Sequence, residues 1–435
     1  MNAMVAMERD ELTGLPGRAA SLERLDQWLA REGVPVHAMV LSLGRFETVN
    51  LAFGEATGDG ALAEVARRLM HFGEDEFELS DWIAARLGGG KFLLALREDC
   101  TRERWQWLAE ALADAVALPI AAVESDASLR LWPRIALIRA APGEDSRALL
   151  DRLAEALGRM KGQPGRRTEW IDRQKAPDGI SGAQLEADLM GAMARGEIEV
   201  RFQPQYALPE DVLIGAEALA RWQHPVLGLI GAGPLFAIAQ RADQTSALSR
   251  HVAERALDIA REWPELLRLS LNITPNDLAS PNFANDFLAL LGQSGFDPHR
   301  LTLEITEQVL LADLDMAAAV LAKIQSAGIA LSLDDFGAGF CNFRYLKLLP
   351  LSALKLDRTM VEGIAENSRD LAVLRAIVAM ARALDLTVVA EGIDTEEKRR
   401  IVAGEGCSSY QGFLRARPMK PDAFAKLAMA RAAAA

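Results

Sequence analysis

The sequence predicts an α/β protein in two parts, a mixed α/β domain followed by a (β/α)8 barrel. Three observations lead there. At 435 residues the chain is long for a single domain. The polar stretch "KGQPGRRTEWIDRQKAPDGISG" (161–182) carries Gly and Pro towards both ends and interrupts the hydrophobic periodicity, as a linker does. Beyond it, short apolar strands alternate with longer helical stretches, the βα rhythm of a parallel sheet.

In the first half, "AASLERLDQWLAREG" has helical spacing and leads to the strand-like "VHAMVLSL"; a helical "GALAEVARRLMHFG" follows. The stretch "AARLGGGKFLLAL" (84–96) then reads as a hairpin. Gly88, Gly89 and Gly90 separate the β-prone runs "DWIAAR" and "KFLLAL", where a turn needs positive φ or close approach to a ligand. The residue after them is Lys91, and no carboxylate stands at the tip. In the second half the candidate strands are "VRFQP", "IGAEALARW", "LSLNIT", "LTLEIT", "IALSLDDFG", "ALKLD", "TVVAEG" and "YQGFL". Each contains or ends in a polar group: Gln203, Glu217 and Arg221, Asn272, Glu304, Asp334 and Asp335, Lys355, Glu391, and Gln411. Barrels of this kind carry their chemistry at the C-terminal ends of the strands. Any one of these residues alone reads as a solvated loop carboxylate or a surface ion pair. One in nearly every strand is a constellation.

Glu217, Asn272, Glu304, Asp334, Asp335 and Glu391 would converge at one mouth as hard oxygen donors. Carboxylates packed so closely repel and raise one another's pKa values. Divalent cations of the Mg²⁺ or Mn²⁺ type, which prefer oxygen ligands, resolve that repulsion. Five acids are too many for one octahedral ion that keeps waters. Adjacent Asp334 and Asp335 point instead to a bridged pair of ions, roughly 3.5–4 Å apart as in two-metal hydrolases, which serve phosphoryl displacement. Lys355 is then suited to hold the attacking water or the developing charge. Arg221 is suited to fork onto a phosphate, and Gln203 to steady a base or a phosphate oxygen. The histidines are scattered, and His224 in "RWQHP" reads as a packing or capping residue beside the second strand.

Composition excludes several classes. The net charge of −13 is shared, −6 over residues 1–180 and −7 over residues 181–435, so neither part is a basic domain that tracks DNA by neutralising phosphates. A small anionic substrate stays compatible, because metal ions reverse the field of an acidic pocket. Cys100, Cys341 and Cys407 are far apart and odd in number, as reduced cytoplasmic thiols are. No signal peptide and no apolar run long enough to span a bilayer is found. The chain starts only a few residues before Asp10, from which no N-terminal sensor domain is expected.

The second half resembles the EAL-domain cyclic-di-GMP phosphodiesterases over about residues 184–430. The matching motifs are "FQP", "EALARWQHP", "LNIT", "LEITE", "DDFGAGF", "KLD", "VVAEG" and "YQGFLRARP", in the family's order and at its spacing. The resemblance implies hydrolysis of cyclic-di-GMP to linear pGpG with two divalent ions, Mg²⁺ or Mn²⁺. It makes Glu217, Asn272, Glu304 and Asp334 ligands of the first ion, and Asp334, Asp335 and Glu391 ligands of the second. Lys355 would contact the catalytic water, and Arg221 and Gln203 the substrate, with Gln411 completing the set. Glu307 would anchor the loop from Asp335 to Asn342, whose family role couples dimerisation to metal binding; a homodimer through the barrel follows. "DDFGAGFCN" stands where "DDFGTGYSS" is usual, Gln240 replaces a customary Glu, and Ser408 a frequent Asp. None of these removes a ligand. The competing reading is a barrel that binds cyclic-di-GMP without hydrolysing it and signals through a protein partner.

The first half resembles GGDEF diguanylate-cyclase domains over about residues 8–168, which gives domains at 1–168 and 184–435 with a linker at 169–183. "DELTGLPGR" is similar to the family's entry motif, with Gly17 for the usual Asn. "LSLGRFETVN" and "GEATGDG" match its next two signatures. The hairpin then reads "GGGKF". Ser42 and Gly90 take the two metal-ligand positions, Lys91 the acidic position beside them, and Glu47 that of a phosphate-binding lysine. The resemblance therefore implies an emptied site without cyclase activity, since nothing remains to hold Mg²⁺ on a triphosphate. The product-inhibition RxxD is also missing, with "ELSD" near its place. Asn50 and Asp59 match guanine-contacting positions and Lys161 a phosphate-contacting one. A regulatory GTP site is one reading of these three, and a structural or dimerising role is the other.

Overall fold

A computed structural model of the chain describes residues 9–432 apart from 32, 45, 78–79, 122–127, 142, 161–166, 172–179, 307–313 and 338–342. The chain divides into two compact units, Met1–Leu185 with Gln223–Pro234, and Glu186–Trp222 with Leu235–Ala435. The first contains α1 (Arg18–Leu29), β1 (Val36–Gly44), α2 (Phe46–Phe53), α3 (Glu55–Glu76), β2 (Asp81–Gly88), β3 (Lys91–Arg97) and α4 (Arg102–Ala117). The two-residue strands β4 (Ile120–Ala121) and β5 (Ser128–Leu129) follow, then β6 (Trp132–Arg139), α5 (Ser146–Met160) and β7 (Thr168–Trp170). The main sheet has the order β2-β3-β1-β6-β7.

That sheet is buried on both faces, and the sequence explains how. Leu149, Leu150, Leu153, Ala156, Leu157 and Met160 recur at helical spacing along α5, forming an apolar stripe. The stripe packs with Leu25 and Trp28 of α1 against Val36, Ala38 and Val40, alternate residues of β1. On the other face of β1, His37 lies 5.4 Å from the Trp105 ring of α4. The glycine hairpin is present, β2 running antiparallel to β3, with Gly88 at φ +113° and Gly89 at φ +55°. These are left-handed values that side chains with a Cβ adopt at a cost. Thr168–Trp170, inside the stretch that reads as linker, is a strand instead. It pairs parallel with β6, and the guanidinium of Arg102 sits 4.0 Å from the centre of the Trp170 ring.

The second unit is the barrel. After α6 (Gly182–Arg195) come β8 (Ile198–Ala207) and β9 (Leu213–His224); the short β10 (Gly228–Ile230) falls within the first unit, and α7 (Ala232–Arg241), α8 (Thr245–Ala260), β11 (Arg268–Ile273), α9 (Pro275–Leu278) and α10 (Phe283–Ser294) follow. The remainder is β12 (Leu301–Thr306), α11 (Leu314–Ser326), β13 (Ala330–Phe336), α12 (Phe343–Leu348), β14 (Ala353–Leu356), α13 (Ser368–Ala383), β15 (Thr387–Ala390), α14 (Glu396–Glu405), β16 (Ser409–Gln411) and α15 (Pro421–Ala432). The order β9-β11-β12-β13-β14-β15-β16-β8 closes through a β9–β8 pairing, so all eight expected strands form one barrel. One expectation needs correction. The barrel is not parallel throughout, because β8 runs antiparallel to both β9 and β16. A tight turn joins β8 to β9 in place of a helix, and a short connection reverses a strand. The strand expected at "YQGFL" is also cut short, to Ser409–Gln411.

The closing seam between β16 and β8 has three residue pairs, Ser409↔Ala207, Tyr410↔Tyr206 and Gln411↔Gln205. Outside it, Phe202 of β8 packs edge-on against Trp263 and beside Phe424 of α15. Even-numbered residues of β8 therefore face the helices, and Gln203 and Gln205 face the interior. Buried His224 fulfils the capping role expected of it, its Nδ1 accepting the backbone N–H groups of Val226 and Leu227. Among the described residues, no helix is long and apolar enough to cross a membrane.

Candidate active site

Glu217 lies on β9, Asn272 near the end of β11, Glu304 on β12, Asp334 and Asp335 near the end of β13, Lys355 on β14, Glu391 just after β15, and Gln411 at the end of β16. The parallel register sets Asn272 level with Glu304, while Gln203 stands opposite Glu217 on antiparallel β8. Asp334 and Asp335 are adjacent, and a regular strand would send them to opposite faces. Here the register of β13 against β14 shifts between Leu333 and Phe336, and Asp335 has φ +55°. This bulge turns both acids towards the same site. A left-handed aspartate is a strained choice of the kind found where function demands it.

At the centre is Lys355, whose side chain is 1% exposed. Its Nζ lies 2.6 Å from Glu304, 2.8 Å from Glu391, 3.0 Å from Asp334 and 3.3 Å from Glu217. One ammonium serves four carboxylates, and the consequences divide unevenly. Burial pushes the Glu217 carboxyl up, but Lys355, Gln411 and Asn272 together outweigh it and hold Glu217 below its usual range. Burial dominates at Glu304, with the neighbouring charges of Glu217 and Asp334 adding to it, and its pKa rises to about 8 despite Lys355. Asp334 rises to about 6, again by burial first, with Asp335 and Glu217 contributing. Glu391 is raised well above its ordinary value, for the same reasons. Burial would lower Lys355, but the four carboxylates lift it well above a normal lysine. The site is an acid cluster that a single lysine cannot neutralise.

Two groups within it have ligand atoms that all lie within 4.8 Å of one another: Glu217, Glu304 and Asp334, and Asp334, Asp335 and Glu391. They share Asp334. Every donor is a carboxylate oxygen, the set hard divalent cations prefer, so the residues fit such ions. Asn272 donates from Nδ2 to Glu217 Oε1 at 2.7 Å, which leaves its oxygen for a cation. Gln411 Nε2 donates 2.8 Å bonds to both Glu217 Oε2 and Glu391 Oε1, bridging the two groups.

Arg221 is buried four residues beyond Glu217 on the same face of β9 and donates from Nη1 to the Ala220 carbonyl. Gln205, which the sequence reading passed over, is buried and donates to Gln411 Oε1 at 3.1 Å. The signal was there, since "FQPQ" puts two glutamines on one strand face. Glu307 and the loop segment 338–342 lie outside the described residues, as does Lys161.

The first unit presents a different picture. Ser42 and Lys91 are cross-strand partners on β1 and β3, and Lys91 is exposed. A Cβ at Gly90 would sit 3.3 Å from Leu43 Cβ and 3.5 Å from Phe46 Cβ, so apolar side chains crowd that position. Asn50 of α2 lies over Gly58 of α3, next to exposed Asp59; a Cβ at Gly58 would be 1.8 Å from Asn50 Oδ1.

The EAL domain pattern matches residues 186–418, the part of the chain that contains the whole carboxylate cluster. The chain belongs to the EAL-domain family. A GGDEF domain, of the diguanylate cyclase type, precedes the EAL domain at residues 7–167. An uncharacterised protein of Mycobacterium tuberculosis is 31% identical over 431 residues, 98% of this chain and 68% of its own length. The bifunctional diguanylate cyclase/cyclic di-GMP phosphodiesterase MucR of Pseudomonas aeruginosa is 33% identical over 424 residues, 95% of this chain. The match covers 60% of MucR. A solved structure of the MucR phosphodiesterase in complex with c-di-GMP superimposes with a TM-score of 0.53 at 34% identity, over 55% of this chain and 99% of that one.

Proposed function

We propose that the EAL domain hydrolyses cyclic-di-GMP to linear pGpG with two divalent ions, Mg²⁺ or Mn²⁺, and that the GGDEF domain has no cyclase activity. The observation that carries the reading is the pair of carboxylate groups sharing Asp334 around buried Lys355. Kinship with MucR, a cyclic di-GMP phosphodiesterase, supplies the substrate class. Glu217, Asn272, Glu304 and Asp334 would hold one ion, and Asp334, Asp335 and Glu391 the other. Such ions make water nucleophilic near neutral pH and offset charge on a phosphodiester.

The protein's own groups would do the rest. Water adds to one phosphorus, the bond to the 3′ oxygen breaks, and that oxygen leaves with a proton, giving pGpG. Lys355 Nζ would hold the attacking oxygen, Gln203 and Arg221 the substrate, and Gln411 the spacing between Glu217 and Glu391. Glu307 would anchor the segment after Asp335. In the GGDEF domain Ser42, Gly90 and Lys91 supply no carboxylate where metal is needed, which supports a regulatory or structural role.

The test is to incubate the full-length protein with cyclic-di-GMP and Mg²⁺ or Mn²⁺ and to separate the products by chromatography. Expected is pGpG, abolished by chelator and reduced at least about 1,000-fold in Glu217→Ala, in line with loss of a group that stabilises charge in the transition state. Binding without turnover in the wild type would sink the phosphodiesterase and leave a receptor. Turnover surviving in Glu217→Ala would sink the ligand assignment.

A further inference from the structure

The barrel closes on a short join. Three residue pairs connect β16 to β8, against nine from β8 to β9. Yet Gln411, the last residue of β16, bridges Glu217 of β9 and Glu391 after β15 through one amide. Something must fix the rotation and height of a three-residue strand if that bridge is to hold. Gly412 gives no purchase, because its α-carbon is pressed against the backbone of Ile393, where a Cβ would fall 2.2 Å from the carbonyl oxygen.

Tyr410 supplies the purchase. Its side chain projects opposite to that of Gln411, is fully buried, and stacks on Tyr206 with ring centroids 5.6 Å apart. Its hydroxyl donates to Asp211 Oδ1, on the turn between β8 and β9. Arg415 Nε donates to Asp211 Oδ2 at 2.9 Å and its Nη2 reaches Glu396, in the first turn of α14, at 2.6 Å. Arg399 binds Glu396 at 2.7 Å. Glu396 follows Glu391 by five residues, Asp211 precedes Glu217 by six, and Tyr410 adjoins Gln411. The strut therefore touches each of the three chain segments that Gln411 must keep in register.

We infer that the Asp211–Tyr410–Arg415–Glu396 strut is a positioning device for Gln411, setting the spacing of Glu217 and Glu391 and through it the affinity of the carboxylate pair for divalent ions. This rests on the metal site proposed above. Tyr410 and Asp211 are positioning residues, with no contact to reacting atoms.

The experiment titrates Mn²⁺ into the full-length wild type, Tyr410→Phe, Asp211→Asn and the double variant by calorimetry. Tyr410→Phe keeps the ring and its stacking on Tyr206, so the barrel still closes. Expected is Mn²⁺ binding about 10-fold weaker in each single variant, the scale of groups that orient metal ligands. The double variant should be no weaker than the singles, because both break the same link. Isotherms equal to wild type, or a double loss equal to the product of the singles, would overturn the inference. A crystal structure of Tyr410→Phe in chelator gives an answer that does not depend on metal. Release of the Gln411 amide from Glu217 or Glu391 is expected, and retention of both 2.8 Å bonds would overturn the strut. A wild type that binds no Mn²⁺ would instead sink the metal reading, with the crystal structure still deciding the strut.

Discussion

At the tip of the β2–β3 hairpin, Gly88 and Gly89 turn the chain beside an exposed Lys91, and apolar Leu43 and Phe46 crowd Gly90. At the C-terminal end of the barrel, four carboxylates crowd a buried Lys355, with Asp335 grouped beside two of them. Each region has a lysine where strands end, and the surroundings decide what the lysine is. Lys91 is a solvated charge whose removal costs little. Lys355 is the one cation in contact with Glu217, Glu304, Asp334 and Glu391 among the described residues. A lysine near a glycine turn says little by itself; the acids facing it make a site.

The largest expected effect comes from removing each lysine in turn. With chelator present, Lys355→Met should destabilise the protein by about 3–5 kcal/mol, because it leaves buried carboxylates without a counter-charge. That is a fall in melting temperature on the order of 10 °C. Lys91→Met should stay within about 0.5 kcal/mol. Equal melting curves for the two variants would break the comparison.

A pH series sharpens it. Glu304, lifted to about 8, and Asp334, lifted to about 6, bind protons more tightly folded than unfolded. For a raised acid, stability is fully present below the unfolded value and is lost as pH climbs through the folded one. The chelated protein should therefore melt progressively lower from about pH 5 to pH 8, the loss running from the ordinary carboxylate range to the raised values. Saturating Mn²⁺ should flatten the slope. A chelated protein more stable at pH 8 than at pH 5 would refute this account of the cluster.

The barrel was legible in the sequence because each of its eight apolar runs is broken by a polar residue that has no reason to sit in a core. His224 was legible for the same reason, as a polar side chain beside a turn. The seam was not. Nothing in "YQGFLRARP" says that Tyr410 meets Asp211, because that contact depends on how the barrel closes and leaves no periodic trace. Nor does spacing reveal that β8 runs backwards, since an antiparallel strand and a parallel one share the same alternation. Thr168–Trp170 escaped notice because three residues are too few to show a period.

The smallest effect compares two residues with the same backbone. Gly89 and Asp335 both have φ +55°. Gly89→Ala should cost about 1 kcal/mol with hydrolysis unchanged, and Asp335→Gly should gain a similar amount in chelator while losing activity. Denaturant titrations beside turnover measurements check both. A loss of stability in Asp335→Gly would mean that its carboxylate repays its strain even without metal.

The seam also bears on when the acid cluster is completed during synthesis. Gln411 is 206 residues from Gln205 and 194 from Glu217 along the chain, and Tyr410 is 199 from Asp211. Contacts that distant form late, after the loops between them have been ordered. The acids of β9 to β15 leave the ribosome before the strand that bridges them, so a nascent or C-terminally clipped chain carries the acids without the Gln411 amide that joins them. The contacts of the acid cluster are then completed only when the last strand joins the barrel.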